Sequence, residues 1–145
     1  MSALSYILTV FVRIPLPNGG YMHLGNAVIV AAACIFGPLF GAAVGVIGSA
    51  LADLTVAPIW IPYTVVIKFI VGVSVGFARK KPPIIAAMCY FISIIAVAGG
   101  YYAAEAIIYG NWLAPVHSTI PLITEQAASL LIGIFAAKKI IILIR

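Results

Sequence analysis

Residues 24–56 read LGNAVIVAAACIFGPLFGAAVGVIGSALADLTV, a run in which Asp53 is the only charged residue. The sequence FGP at 36–38 divides this run, because the residue before a proline does not readily take a helical conformation. We therefore predict two apolar helices, about residues 24–36 and 38–56, joined by a very tight turn.

The composition of the whole chain agrees with this local pattern. Of its 145 residues, 65% are apolar and 8% are charged, whereas soluble domains are roughly 45–50% apolar and about 25% charged. Disorder is excluded as well, because disordered segments combine low hydrophobicity with high net charge. The chain is therefore predicted to be an integral membrane protein without a separate aqueous domain.

Proline, glycine and polar residues interrupt the apolar sequence between successive helices. The predicted helices cover about 2–14, 24–36, 38–56, 62–78, 83–109 and 121–143. We expect an all-α fold, one membrane domain over residues 1–145 in the form of a compact bundle of six transmembrane helices. The first two helices are short for a full crossing, which takes about 20 residues.

The positive charges predict the orientation of this bundle. Residues 79–81 (RKK) close the fourth helix, and Lys138, Lys139 and Arg145 close the sixth. With six alternating crossings these two ends lie on the same side, and an excess of Lys and Arg marks the cytoplasmic side. We therefore expect both termini in the cytoplasm, with the excess positive charge explained by membrane orientation rather than by binding of nucleic acid.

The remaining charged residues all fall in the outer half of the predicted bundle. Ionisable groups within a membrane usually face a cavity or pair with one another, so a polar cavity open to the outside is expected. We place Glu105 at the membrane interface beside Tyr101 and Tyr102, outside the site. The outer-half charges are Arg13, Asp53, Lys68, Glu105 and Glu125.

The segment IPLPNGGYMHLGNAV at 14–28 is the strongest local signal for binding. It brings Tyr21, His23 and Asn26 to the start of an apolar helix, whose first N–H groups can receive ligand oxygens. The alternative is a capped loop, with Asn26 as the N-cap and Tyr21 in the aromatic belt of the membrane.

Two further helices contribute polar groups from the same side. Asp53 and Lys68 form either an ion pair between the third and fourth helices or ligand contacts, and Glu125 and Gln126 lie one turn into the sixth helix. Glycines four residues apart, Gly41 and Gly45 in the third helix and others in the fourth, predict that these two helices pack closely.

No motif predicts catalysis. The two histidines lack the spacing of a zinc site, and there is neither a nucleophile and base set nor a phosphate-binding loop. We therefore expect no metal, no cofactor and no enzymatic activity. Any ATP hydrolysis would belong to another subunit.

The sequence from residue 14 to residue 54, followed by APIWIPYTVVIKFIVG at 57–72, resembles the substrate-binding S component of energy-coupling factor (ECF) vitamin transporters. The resemblance covers roughly residues 11–78. The subgroup that it resembles includes hydroxymethylpyrimidine, pyridoxine and riboflavin type S components. That subgroup usually has an aspartate where this chain has Asn26, so one negative charge is missing from its pattern.

The resemblance implies a small binding protein in the bacterial plasma membrane. It would capture a vitamin at its outer face and associate with a transmembrane coupling (T) subunit and two ATP-binding cassette ATPases. A flat heterocycle would stack on an aromatic ring and form hydrogen bonds with the polar side chains. Together with the residues discussed above, the expected ligand-binding residues are Tyr21, His23, Asn26, Asp53, Trp60, Tyr63, Lys68, Glu125 and Gln126.

A different class of protein gives the alternative reading. A small secondary transporter or channel-forming oligomer that needs no partner would use Asp53, Lys68 and Glu125 as an ion relay. No inverted repeat is evident in the sequence, which weighs against this alternative.

Overall fold

A computed structural model describes residues 1–15 and 21–144 of the chain. Six α-helices and one two-stranded sheet make up the described part. In chain order they are α1 (Ser2–Phe11), β1 (Arg13–Pro15), β2 (Tyr21–His23), α2 (Gly25–Phe36), α3 (Pro38–Val56), α4 (Ile61–Phe77, preceded by a short 3-10 turn at Pro58–Trp60), α5 (Pro83–Tyr109) and α6 (Val116–Ile144).

The first helix ends earlier than the sequence pattern predicted. It stops at Phe11 instead of about residue 14, because residues 13–15 leave the helix to form an antiparallel pair with residues 21–23. Pro15 favours this outcome, since it holds the preceding residue in an extended conformation. The hairpin places His23 directly before α2.

The last helix begins earlier than predicted, at Val116 instead of about residue 121. Pro121 lies inside the helix near its start. In the first turn the carbonyl oxygen of Pro115 accepts the backbone N–H groups of Ser118 and Thr119 at 3.2 and 3.1 Å, and Thr119 Oγ1 also donates to it at 2.8 Å. These local hydrogen bonds start the helix ahead of the proline.

Four helical segments are long and apolar enough to cross a membrane: 38–56, 58–77, 83–109 and 116–144. Helices α1 and α2 are shorter, with 10 and 12 residues. The fold is that of an all-α membrane protein. Whether all six helices cross, and on which side the termini lie, stays a prediction.

Helices α3 and α4 pack against each other through glycine. A methyl group on Gly72 would meet the backbone of Gly41 and Ala42, and one on Gly76 would meet the backbone around Pro38. A third contact joins Gly45 to the backbone of Lys68. This close approach of the two helices fixes the position of Lys68 beside α3.

Helix α2 lies at the centre of the bundle. Its residues from 25 to 33 are all buried, and Ile29 and Val30 have no exposed surface. These side chains form one core with Val71 and Val75 of α4 and Val97 of α5. The turn that follows α2 depends on Gly37, whose φ of +98° is unfavourable for any residue with a side chain.

Candidate functional site

All three acidic residues of the chain line a single cavity between the helices. They come from three different helices, Asp53 from α3, Glu105 from α5 and Glu125 from α6. The cavity has a volume of ≈ 40 Å³, which is room for a few water molecules. Its other lining residues are Thr9, His23, Asn26, Ser49, Trp60, Thr64, Lys68, Val97, Tyr101 and Leu122.

A buried amide joins the two opposite charges at the centre of the site. Asn26 accepts a hydrogen bond from Lys68 Nζ at 2.8 Å and donates one from Nδ2 to Glu125 Oε1 at 2.8 Å. The side chains of Lys68 and Asn26 are 1% exposed, and Glu125 is 7% exposed. Hydrogen bonds of this kind offset the cost of burying charge, so the Lys68–Asn26–Glu125 chain links α4, α2 and α6.

Lys68 also has Tyr101 and Asp53 as neighbours. Its ammonium lies 5.2 Å from the centre of the Tyr101 ring, within the range of a cation–π contact. Asp53 is close enough to attract the same ammonium electrostatically. The structure therefore places Asp53 and Lys68 in one cavity. Lys68 interacts with the carboxylates of Asp53 and Glu125.

Two aromatic rings form an apolar side of the cavity. The ring centroids of Trp60 and Tyr101 are 6.0 Å apart, with an angle of 60° between their planes. The hydroxyl group of Tyr101 lies 3.2 Å from Thr64 Oγ1. These contacts hold the rings at the cavity wall, where a flat ligand could pack against them.

The hairpin brings His23 to the edge of the cavity in a defined state. Its Nδ1 accepts the backbone N–H of Gly25 at 3.0 Å, so the ring proton lies on Nε2. Burial, followed by the nearby charge of Lys68, lowers the pKa of His23 well below its usual 6.5. His23 is therefore a neutral hydrogen-bonding group, and its backbone N–H donates to Glu125.

The expectation that Glu105 lies at the membrane interface was wrong. Its side chain is 1% exposed and lines the cavity, and Ser118 Oγ donates to its Oε2 at 2.6 Å. The sequence suggested an interfacial position because two tyrosines precede it. The rotation of α5 about its axis instead turns Glu105 inward, one turn along from Tyr101.

Six of the nine residues predicted for the site line the cavity: His23, Asn26, Asp53, Trp60, Lys68 and Glu125. Two others are directed elsewhere, since Tyr63 packs against the hydrophobic core and Gln126 donates to Ser93 Oγ at 3.3 Å between α6 and α5. Tyr21 belongs to β2 by its backbone, and its side chain lies outside the described part of the chain, as does Arg145.

Sequence reasoning missed several uncharged lining residues, among them Ser49 and Thr9. Ser49 lies one helical turn before Asp53 on α3, so the i, i+4 spacing was the available signal. Its Oγ is buried and has no hydrogen-bond partner among the described residues. The hydroxyl of Thr9 donates to the Ser5 carbonyl at 2.7 Å and lies 3.3 Å from His23 Nδ1.

A second, apolar groove adjoins the cavity on the side of the hairpin. It has a volume of ≈ 430 Å³ and lies between the hairpin and α6. His23 and Glu125 line both spaces and so stand between them. The other residues of the groove are Val12, Ile14, Met22, Leu24, Thr124, Ala128 and Ser129.

The side chains of the cavity can form hydrogen bonds and ion pairs with a polar group. They combine carboxyl groups, an ammonium, an amide, hydroxyls and aromatic rings in a buried interior. Within residues 1–15 and 21–144, no three His, Cys, Asp or Glu side chains come together in a way that could hold a metal ion.

Comparisons with known proteins agree with a transport role. Residues 1–141 match the family described as ECF-type riboflavin transporter, S component. A protein of Pyrococcus woesei described as "Uncharacterized protein in gap 3'region" is 45% identical over 75 residues, which are 51% of this chain and 51% of that protein. The match thus spans about half the length of this curated relative. No solved structure matches the chain.

Proposed function

Because the chain belongs to the ECF-type riboflavin transporter S component family, we propose that it captures a small vitamin or vitamin precursor at its outer face. Delivery across the membrane would then depend on a coupling subunit and two ATPases. The candidate ligands are heterocycles like hydroxymethylpyrimidine, pyridoxine or riboflavin.

The observation that carries this proposal is the convergence of buried polar groups on one cavity. Lys68, Asn26, Glu125 and Asp53 come from four helices that are otherwise apolar, and each is less than a tenth exposed. Buried ionisable groups in a membrane protein usually mark the path or the binding site of a substrate.

The site residues are proposed with distinct roles. Trp60 and Tyr101 stack against the ring of the ligand, while His23, Asn26 and Asp53 form hydrogen bonds with its polar edge. The present cavity of ≈ 40 Å³ is far smaller than the roughly 300–1,000 Å³ of typical ligand pockets. The elements around the cavity must therefore move apart when a ligand binds.

Reconstitution tests the proposed function. The purified chain in liposomes is expected to bind a ligand that co-purifies with it, identified by mass spectrometry, without concentrating it inside. Uptake against a gradient by the chain alone would contradict the proposal and favour a self-sufficient transporter.

Site variants test the assignment of residues. Trp60→Ala and His23→Ala are expected to weaken ligand binding at least about tenfold, or roughly 1.4 kcal/mol. Lys138→Gln, which changes an exposed charge far along α6, is the matched control and should bind normally. If the two cavity variants bind as tightly as the control, the assignment is wrong.

A further inference from the structure

Two buried hydroxyl groups of the chain differ from the others. Ser49 and Ser129 are 2% and 1% exposed, and neither Oγ has a hydrogen-bond partner among residues 1–15 and 21–144. By contrast, the buried hydroxyls of Thr9, Ser74 and Ser93 each donate to a carbonyl of the preceding helical turn, at 2.7, 3.1 and 2.7 Å. A buried hydroxyl without a partner is unfavourable, so Ser49 and Ser129 would both gain from a hydrogen bond with a ligand.

The two hydroxyls belong to the two adjoining spaces of the molecule. Ser49 lines the polar cavity, and Ser129 lines the apolar groove between the hairpin and α6. His23 and Glu125 line both spaces, and the backbone N–H of His23 donates to Glu125. Glu125 and Ser129 are four residues apart and so lie on one face of α6. The contact between His23 and Glu125 therefore lies between the space of Ser49 and the space of Ser129.

The volumes of the two spaces differ about tenfold. The groove, at ≈ 430 Å³, falls within the roughly 300–1,000 Å³ of typical ligand pockets, whereas the cavity, at ≈ 40 Å³, does not. A ligand whose polar edge enters the cavity therefore needs additional room. The groove is the adjoining space that provides it.

The walls of the groove indicate which part of a ligand it takes. On the side of the hairpin they consist of the apolar side chains of Val12, Ile14, Met22 and Leu24. A lipid acyl chain would match these walls, but it has no atom that can form a hydrogen bond with Ser129. An apolar ring or chain that carries a polar substituent matches both the walls and the hydroxyl.

Resting on the proposed function, we infer that the ligand spans both spaces, with a polar edge in the cavity beside Ser49 and an apolar extension in the groove, where Ser129 binds a polar substituent. Such a ligand is longer than a single substituted ring. His23 and Glu125 lie beside its middle, and their contact opens to let the ligand connect the cavity with the groove.

A variant that fills the groove tests this inference. Ala128 lines the groove and is exposed, so Ala128→Leu adds bulk there without entering the core. Ala87→Leu is the matched control, at an exposed position of α5 that is not among the lining residues of either space. Binding of riboflavin, pyridoxine, hydroxymethylpyrimidine and any compound that co-purifies is titrated with the purified chain in lipid nanodiscs.

For the compound that binds the unmodified chain most tightly, Ala128→Leu is expected to weaken binding at least about tenfold and Ala87→Leu to leave it unchanged. Unchanged binding in Ala128→Leu, or equal weakening in both variants, overturns the inference and leaves the proposed function intact. Loss of a retained phospholipid from Ala128→Leu with unchanged ligand binding overturns it in favour of a lipid site. If the folded chain binds none of the compounds, the proposed function fails and the inference fails with it.

Serine variants provide an independent measurement. Ser49→Ala and Ser129→Ala each remove a hydroxyl without a partner, so the thermal unfolding midpoint of the ligand-free chain should be unchanged or higher. The rise in this midpoint on adding the ligand should shrink in both variants, because each loses a contact with the ligand.

Ser74→Ala is the matched control for the serine variants. It removes a buried hydroxyl that donates to the Val71 carbonyl at 3.1 Å, and Ser74 lines neither space. The opposite pattern is expected, a lower midpoint without ligand and an unchanged rise with it. A full ligand-induced rise in Ser129→Ala, or a lower midpoint of this variant without ligand, overturns the inference.

Discussion

Asn26 occupies the central position in the buried hydrogen-bond chain. Its carbonyl oxygen accepts from Lys68, and its amide nitrogen donates to Glu125. A carboxylate can only accept hydrogen bonds, so an aspartate at this position would face Glu125 without a proton to share. An amide at this position can accept from Lys68 and donate to Glu125 at the same time, which an aspartate could not do.

Exchanging the amide of Asn26 with the carboxyl group of Glu125 tests this role of the amide. Asn26→Asp is expected to lower the free energy of unfolding by about 2–3 kcal/mol, because it breaks a buried hydrogen bond and brings two carboxylates together. The double variant Asn26→Asp/Glu125→Gln restores a donor opposite an acceptor and should recover most of this loss. Thermal unfolding in detergent measures both, and a double variant no more stable than Asn26→Asp would contradict the role.

His23 predicts a pH dependence of stability. Its folded-state pKa lies well below 6.5, because of burial and then the charge of Lys68. Above about pH 6.5 the contribution of neutral His23 to the free energy of unfolding is fully present. As the pH falls below this value, His23 binds a proton in the unfolded chain but not in the folded chain. The free energy of unfolding should then fall by up to roughly 1.4 kcal/mol per pH unit.

The variant His23→Asn isolates this contribution. Its side-chain oxygen can still accept from the Gly25 N–H, but it does not titrate. The midpoint of thermal unfolding should fall less steeply below about pH 6.5 than in the natural chain. Parallel curves for the two proteins would show that His23 is not the group responsible.

At the scale of the helices, the contact of α3 with α4 determines where the site forms. Backbone meets backbone at Gly41 and Gly72, and the same contact surface brings Lys68 against Gly45. In a bilayer, close packing of this kind replaces the hydrophobic effect as the force that holds helices together. The glycine spacing in the sequence is therefore linked to the position of Lys68 in the cavity.

Alanine substitutions distinguish packing glycines from the others. Gly72→Ala is expected to destabilise the fold by about 1–3 kcal/mol, because its methyl group would overlap the backbone of Gly41. Gly99→Ala in α5 is the matched control, since apart from its own stretch of helix no atom of the described residues lies within 4 Å of the added methyl group. It should be neutral or stabilising by up to about 1 kcal/mol. Equal effects on thermal unfolding would contradict this account of α3 and α4.

At the scale of the whole molecule, family membership confirms the resemblance to ECF S components and the multi-pass membrane location. The division of charge fits the same picture. The basic residues near the ends of α4 and α6 are exposed at Lys80, Lys81, Lys138 and Lys139, while the acids are buried at the cavity. The exposed basic residues are thus separated from the buried acids, as the predicted orientation requires.

Cysteine labelling tests the predicted orientation. In a chain with Cys34→Ser and Cys89→Ser, a thiol is introduced by Lys81→Cys or by Asn111→Cys, both at exposed positions at opposite ends of α5. A membrane-impermeant maleimide on intact cells should label the second variant and not the first, since Lys and Arg mark the cytoplasmic side. The reverse pattern would contradict the orientation.

The sequence alone determined the class of the molecule, the apolar helices and most of the charged residues that line the cavity. These depend on composition, on helix breakers and on position along a helix, which are local properties. The end of α1 and the start of α6 were less predictable, because strand pairing in the hairpin shortened α1, and hydrogen bonds to the Pro115 carbonyl began α6 ahead of Pro121.

Only the tertiary structure decided which polar side chains meet. The inward position of Glu105, the buried hydroxyl of Ser49 and the bridging role of Asn26 depend on how each helix is rotated about its axis and how far it is displaced along its neighbours. Those quantities are set by packing between residues far apart in sequence, such as Gly41 and Gly72. No pattern within a single helix contains them.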